Sequence, residues 1–559
     1  MDDRALEGPA EAPALLGLSI SGDFIRQAIL GELAAPPDSP LKLDSRGARI
    51  YNAIVHGALD LSAVKFERPI LFENCTFDAP VILTYAKLES LALIGCRAIT
   101  IQARGAEVNG DFSLSRTSLE NPGLFAFNGE SMRVGGSVMF FDGFVANGAV
   151  SLALSSIGGR LVCNGTFHNP LRDADIRSWF TPIHCALNGF GAKVGRSVSF
   201  STGFCAGRFC AEGVVVFLDA SIGDGVYVLG GSFTRGSEPW SPSDPESIAD
   251  PSARYIMMAG SGLHLYNVQM GALVLSRIER FEGLLSLRIA VTRSIADDGS
   301  IWRDPNTGRT RRGVALDLDG FRYETFTDSM VASTDTRWRT RLAWLNSQVS
   351  ERLDSEFQSQ PFTQCADVLR SMGDSHGSRM ILFEREQMRL RAKNVRPWEK
   401  ISGHALRVFA GHGYKNYYAL YWAIGICALG GTVFGVADRL GEMRPASDHV
   451  IVDESYQRTG RIPKDYEPLE PFLFSADVLT PIVDFGQKRA WLPRNAGERA
   501  PDAAAAFPQL PVSTDRALNW LFGGWLPKAF YYVEIAMGWL LVSIVIAGFS
   551  GHLGREGEK

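Results

Sequence analysis

The residue types that could do chemistry are thinly spread along these 559 residues. In "ALDLDGF" (Ala315 to Phe321), Asp317 and Asp319 share one face of a strand, because strand side chains alternate with period two. Such a pair can serve acid–base or metal chemistry inside a cleft. The reading taken here is the plainer one, a solvated outer face. "GFGAKVG" (Gly189 to Gly195) has GxGxxxG spacing rather than the dinucleotide GxGxxG. It precedes a strand, so a phosphate would find no helix N-terminus there. GxxxxGK[ST], GxSxG and HExxH are all missing. Eight cysteines, at 75, 96, 163, 185, 205, 210, 365 and 427, form no CxxC and read as reduced, buried apolar residues. The nine histidines are dispersed, without metal-ligand spacing. The expectation is a protein that is not an enzyme and needs neither cofactor nor metal.

Two further carboxylates stand in apolar surroundings. Asp484 lies in "PFLFSADVLTPIVDFGQ" (Pro471 to Gln487), between the two segments of the chain that look able to cross a membrane. Glu470 to Leu479 reads as a short helix, whose C-terminal end would point partial negative charge at a cation. Thr480, Pro481, Ile482, Val483, Asp484, Phe485 and Gly486 follow it. Copies of Asp484 around an axis would form an acidic ring, a common device for attracting cations. The alternative is that this stretch forms the core of an outside domain. Glu534 lies about one turn inside the second apolar segment. Either it reaches water at the interface, or it faces a pore or a partner helix.

The elements that must position these residues are two apolar spans. "YYALYWAIGICALGGTVFGVA" (417–437) is uncharged and about as long as a bilayer-crossing helix needs to be. Tyr417, Tyr418, Tyr421 and Trp422 give it an interfacial aromatic belt. Gly431 and Gly435 form a GxxxG for close helix packing. The second span is 529–551. Basic residues (Arg389, Arg391, Lys393, Arg396, Lys400, Arg407, Lys415) crowd the approach to the first span, and Arg555 follows the second. The positive-inside rule then places both termini in the cytoplasm and 438–528 outside. Trp398 to Phe409 reads as an amphipathic helix with Trp398, Ile401, Leu406 and Phe409 toward lipid. No secretory signal opens the chain. A net charge of −5 suggests no nucleic-acid role.

Ahead of the spans, 45–330 repeats a phrase: a glycine turn, then a short alternating strand. "VNGDFSL" begins at Val108, "VGGSVMF" at Val134, "IGGRLVC" at Ile157, "VGRSVSF" at Val194, "IGDGVYV" at Ile222 and "MGALVLS" at Met270. A shorter echo begins at Gly313. The intervals suit solenoid repeats. Leu61, Phe66, Leu71 or Phe72, and Phe77 add a degenerate five-residue register. The expected fold is a mainly β solenoid, a right-handed parallel β-helix, with longer loops inserted at 169–181 and 235–252. A helix over Ile20 to Leu33, capped by Ser21, would plug its first coil within an N-terminal cap, 1–44. Thr334 to Phe357 and Phe362 to Asn394 read as helical, the second as a hairpin. They form a neck, 331–416, between solenoid and membrane. A cytoplasmic tail, 552–559, ends the chain.

"HGALDLSAVKF", "IGGRLVC", "QPFTQCADVLRSMG" (Gln360 to Gly373), "LFSADVLTPIVDFGQKRAWLP" and "GWLLVSIVIAGFSG", in that order, resemble a bacterial family. The resemblance covers roughly 20–555. It implies a β-helix related to pentapeptide-repeat proteins, a helical hairpin and two closing spans in the bacterial inner membrane. Some members carry the label membrane-associated oxidoreductase; no residue pattern here supports redox chemistry. The membrane part is also similar to the pore module of two-span cation channels. That likeness implies filter backbone from Thr480 and Gly486, with Pro481 and the lack of a central glycine departing from a potassium filter. Two helices cannot enclose a pore, so a homo-oligomer, a tetramer or pentamer, is implied. The expectation is a cation channel regulated by its β-helix, with a protein or ligand partner on that domain. The alternative is a non-conducting, membrane-anchored scaffold.

Overall fold

The computed structural model describes residues 18–549 except 34–35, 37, 171–180, 202–207, 236–258, 303–313, 330–332, 350–352, 354–356, 394, 411–416, 455, 457–461 and 495–524. Lys415, Cys205, Gly313, Arg555 and most of the two expected corner loops fall outside the described residues. The chain forms two compact units, Met1–Asn394 and Val395–Lys559.

Among the described residues of the first unit, 34 strands join one sheet, pairing in parallel except for the hairpin Leu41–Tyr51. Each strand pairs with its counterpart in the next coil, so equivalent residues stack in columns. One inward column runs Ile50, Phe72, Leu93, Leu114, Phe140, Cys163, Phe200, Val228 and Leu275. All but Leu275 are 1% exposed or less. Burying each large apolar side chain contributes about 2 kcal/mol. Aromatic rings continue from coil to coil, as in Phe200–Phe209 at 4.9 Å and Phe209–Phe233 at 5.1 Å. A parallel ladder needs no hairpin turns, only corners that recur in register.

One corner is the same tight turn in ten coils. Its third residue has positive φ: Ala63, Tyr85, Gly105, Ser131, Leu154, Gly191, Asp219, Asn267, Ile289 and Gly320. The N–H of each of these residues but the last donates to the corner of the next coil, for example Tyr85 to the Arg104 carbonyl at 3.0 Å. This ladder holds non-glycine residues in the left-handed region that they otherwise avoid.

The repeated phrase has a separate cause. A methyl on Gly135, Gly158, Gly195 or Gly223 would overlap a backbone carbonyl of the preceding coil. On Gly271 it would lie 2.6 Å from the Asp224 carbonyl oxygen. The coils touch along this column so closely that only hydrogen fits. Gly195, the last glycine of "GFGAKVG", serves this contact, and Gly189 makes room for the Phe217 ring.

Both ends of the stack are closed. Helix Gly22–Leu30 is capped by Ser21, whose Oγ accepts from the Phe24 N–H at 3.1 Å, and buries Ile25, Ala28 and Ile29. Strand Leu18–Ser21 pairs with Ala53–His56 of the first coil. At the other end, the last residue of the inward column is Asp297, fully buried. Arg341 meets it at 2.7 Å, and its guanidinium lies 4.2 Å over the Phe326 ring. Trp344 packs on Trp302, Tyr323 and Phe326.

The helix expected over Thr334–Phe357 is shorter, Trp338–Leu345. Beyond it the backbone completes the last coil instead: Ser347 accepts from the Leu316 N–H at 2.9 Å, and Val349 donates back at 3.0 Å. An open strand edge outweighs local helical tendency. The helical hairpin is Gln360–Ser371 and Ser375–Arg391, joined where Asp374 caps the Gly377 N–H. Gln360 accepts from Gly320, and Gln364 donates to the Tyr323 carbonyl at 2.7 Å. Thus the hairpin read as a neck also closes the final coil.

Asp317 is fully buried, not on a solvated face. It belongs to a column in which Asp60, Asn128, Asn188 and Asp317 each accept the N–H two residues on, starting the corner turn. Asp319 pairs with Arg288 at 3.5 Å. Asp317 thus starts a corner turn, and Asp319 lies in an ion pair.

In the second unit, helix Pro397–Ala410 precedes two long helices, Tyr417–Arg439 and Leu526–Phe549. Between them in sequence lie the short wedge helix Pro471–Leu479 and a strand pair, Met443–Pro445 with Trp491–Pro493. Phe434, Ala437, Leu440, Met443, Phe474, Val478 and Trp491 form its core.

Candidate functional site

The wedge helix starts with proline at its first turn, where the missing N–H costs nothing. It packs against both long helices. Glycines make the fit. A methyl on Gly431 would overlap the Phe472 ring, and one on Gly538 would overlap the Leu479 carbonyl. A methyl on Gly435 would lie 3.6 Å from the Pro471 ring carbons, in ordinary contact. So Gly431 and Gly435 do pack a helix, but the partner is the wedge. Phe434 and Phe474 meet edge to face at 4.8 Å.

At the centre of this joint lies Gly430. A methyl there would overlap the Ser475 hydroxyl and come within 2.7 Å of Glu534 Oε1. Ser475 Oγ is hydrogen-bonded to Glu534 Oε1 and lies 3.1 Å from the Cys427 carbonyl oxygen. Glu534 is fully buried, so it does not reach water at an interface. Among the described residues, its second oxygen, Oε2, has no hydrogen-bond partner.

The stretch Thr480–Gly486 forms one loop on the end of the wedge. Thr480 turns its hydroxyl back to the Ala476 carbonyl at 2.6 Å. Buried Asp477 accepts from the Phe485 and Lys488 N–H groups, both at 2.8 Å, and pairs with the Lys488 ammonium at 3.3 Å. Burial alone would raise its carboxyl, but these donors hold it below the ordinary carboxylate value. Asp477 thereby folds the loop onto the helix. Asp484 accepts from the Gly486 N–H at 2.9 Å and is ion-paired with Arg489. Lys488 also donates to the Val483 carbonyl at 3.2 Å. Gly486 takes φ 87°, which suits glycine. Pro481 is half-buried, while Ile482 (73%), Val483 (47%) and Phe485 (47%) are exposed. Glu534 is bonded to Ser475 in the helix joint rather than to this loop.

Ser475, Asp477, Gly430 and Gly538 carry no sequence signal of their own. A serine and an aspartate in a short apolar helix are visible, but only packing shows what they meet.

Among the described residues, one helix, Tyr417–Arg439, meets the length and composition needed to cross a membrane, with mean hydropathy 1.7 and 22% of its most apolar window buried. Leu420, Tyr421, Ile424 and Leu429 on it are exposed, as are Tyr532, Val533, Trp539 and Ile546 on the second long helix. Comparison with known proteins gives no match: no family model, no curated protein and no solved structure matches the chain. The family resemblance is therefore carried by the sequence phrases alone.

Proposed function

We propose that the chain is a multi-pass protein of the bacterial inner membrane, and that it assembles into a homo-oligomeric cation channel regulated by its β solenoid. Both long helices cross the bilayer, the termini are cytoplasmic, and the solenoid winds right-handed, as parallel crossovers almost always do. The observation that carries this reading is the wedge helix packed against both long helices through glycine contacts. A short helix at that depth, followed by a loop ending in Gly486, is the arrangement a pore-lining segment requires. The exposed apolar side chains of the long helices fit lipid or neighbouring subunits. Asp484 would face the ion route once Arg489 moves or is shared between subunits.

One observation favours a non-conducting anchored scaffold instead. The loop carboxylates Asp477 and Asp484 already have cationic partners, Lys488 and Arg489. Flux through liposomes separates the readings, comparing wild type, Asp484→Asn and Asp484→Lys. Cation flux that Asp484→Lys abolishes or inverts supports the channel. No flux, together with a monomer by light scattering in detergent, leaves the scaffold.

A further inference from the structure

The joint between the wedge helix and the two long helices contains more acceptors than hydrogens if Glu534 is ionised. Ser475 has one hydroxyl hydrogen. It faces two acceptors, Glu534 Oε1 and the Cys427 carbonyl oxygen at 3.1 Å. An ionised Glu534 offers no hydrogen, so one of these contacts would set two oxygens against each other. A protonated Glu534 resolves the count. Its O–H donates to Ser475 Oγ, and the Ser475 O–H donates to Cys427. The remaining Glu534 oxygen, Oε2, is buried without a partner among the described residues. That is tolerable for a neutral carboxyl group and costly for a carboxylate. Gly430 closes the site, because even a methyl there would collide with both side chains.

We propose that Glu534, with Ser475, is a proton-binding site inside the helix joint, and that release of the proton loosens the wedge helix. Among the described residues, no cation is ion-paired with Glu534. Lys488, which follows the wedge in sequence, is paired with Asp477. The other titratable groups on the packed elements are Tyr417, Tyr418, Tyr421, Cys427, Asp438 and Arg439 on the first long helix, Asp477 on the wedge, and Lys528, Tyr531 and Tyr532 on Glu534's own helix. The cations among them, Lys528 and Arg439, lie near helix ends, and neither forms an ion pair with Glu534. On ionisation, the Ser475 hydrogen can serve only one of its two acceptors, and Oε2 becomes a buried charge without a donor. The joint then gains by opening to water. This inference rests on the packing and hydrogen count alone and stands whether or not the protein conducts.

The test is infrared difference spectroscopy on full-length protein in liposomes, wild type against Glu534→Gln at neutral pH. The amide is neutral and of the same shape, so it retains the joint. The expected result is loss of a carboxylic-acid C=O band in the variant. Loss of a carboxylate band in its place overturns the proposal. Should the variant fail to fold, dicyclohexylcarbodiimide on the wild-type protein decides. Its addition to the Glu534 peptide, followed by mass, is expected at mildly acidic pH and lost at alkaline pH; labelling that does not fall as pH rises overturns the site. Amide exchange over Pro471–Leu479 should rise at alkaline pH beyond its intrinsic increase in wild type and not in Glu534→Gln.

Discussion

The Ser475 hydroxyl is hydrogen-bonded to the Glu534 carboxyl at the point where Gly430 lets three helices meet. Two polar side chains 59 residues apart in sequence thus share a dry contact, and a residue without a side chain makes room for it.

Gly430→Val should break this joint. Its methyls would occupy the space of Ser475 and Glu534, and overpacking a core of this kind costs about 1–3 kcal/mol. Thermal melting in detergent should show a lower transition for Gly430→Val, and a near-native one for Gly425→Val, where nothing lies within 4 Å of the added carbon.

In the solenoid, Gly158→Ala should cost about 2 kcal/mol, because the methyl meets the Gly135 carbonyl, a backbone atom that cannot swing away. Gly143→Ala is the control. Its φ is +83° with nothing within 4 Å, so only left-handed strain of about 1 kcal/mol applies. Urea unfolding, followed by the β-sheet circular-dichroism signal, should rank the two in that order.

Removing the cation from the buried pair, as Arg341→Met, should destabilise the last coil by about 3–5 kcal/mol, since Asp297 is left charged and unpaired. Burial already pushes the Asp297 carboxyl up, with Arg341 acting against it. Arg341→Met with Asp297→Leu should recover much of the loss. Equal destabilisation in the single and double variants would refute a charge origin.

His264 is fully buried, and burial pushes its imidazole down to about 4 from 6.5. The unfolded chain therefore binds a proton that the folded chain refuses between those values. Stability is full above pH 6.5, falls as pH is lowered, and levels off near pH 4, by about 3 kcal/mol in total. Unfolding midpoints for wild type and His264→Gln should diverge over that window and run parallel above it.

Much of the fold was legible because a solenoid repeats locally. Val134-Gly135-Gly136 and Ile157-Gly158-Gly159 announce a glycine column before any coil is seen. Ser21 announces its helix, since a cap bonds three residues away. Misreadings came where the backbone served a distant edge. Leu316 pairs with Ser347 and Val349, so a helical-looking stretch stops at Leu345. Asp317 was read as part of a solvated face because alternation shows which residues share a face, not whether that face is buried.

The sequence by itself determined the order of parts: a coil-forming stretch, a helical hairpin and an apolar pair of helices with a short apolar segment between them. Periodicity and length carry that information, and both are local. Tertiary structure alone decided what the carboxylates meet. Arg489 lies beside Asp484, Lys488 beside Asp477, Arg341 beside Asp297, and Ser475 beside Glu534. For Asp297 and Glu534 the partner lies tens of residues away, and the energy of a charge depends on its partner and on the water around it, neither of which spacing records.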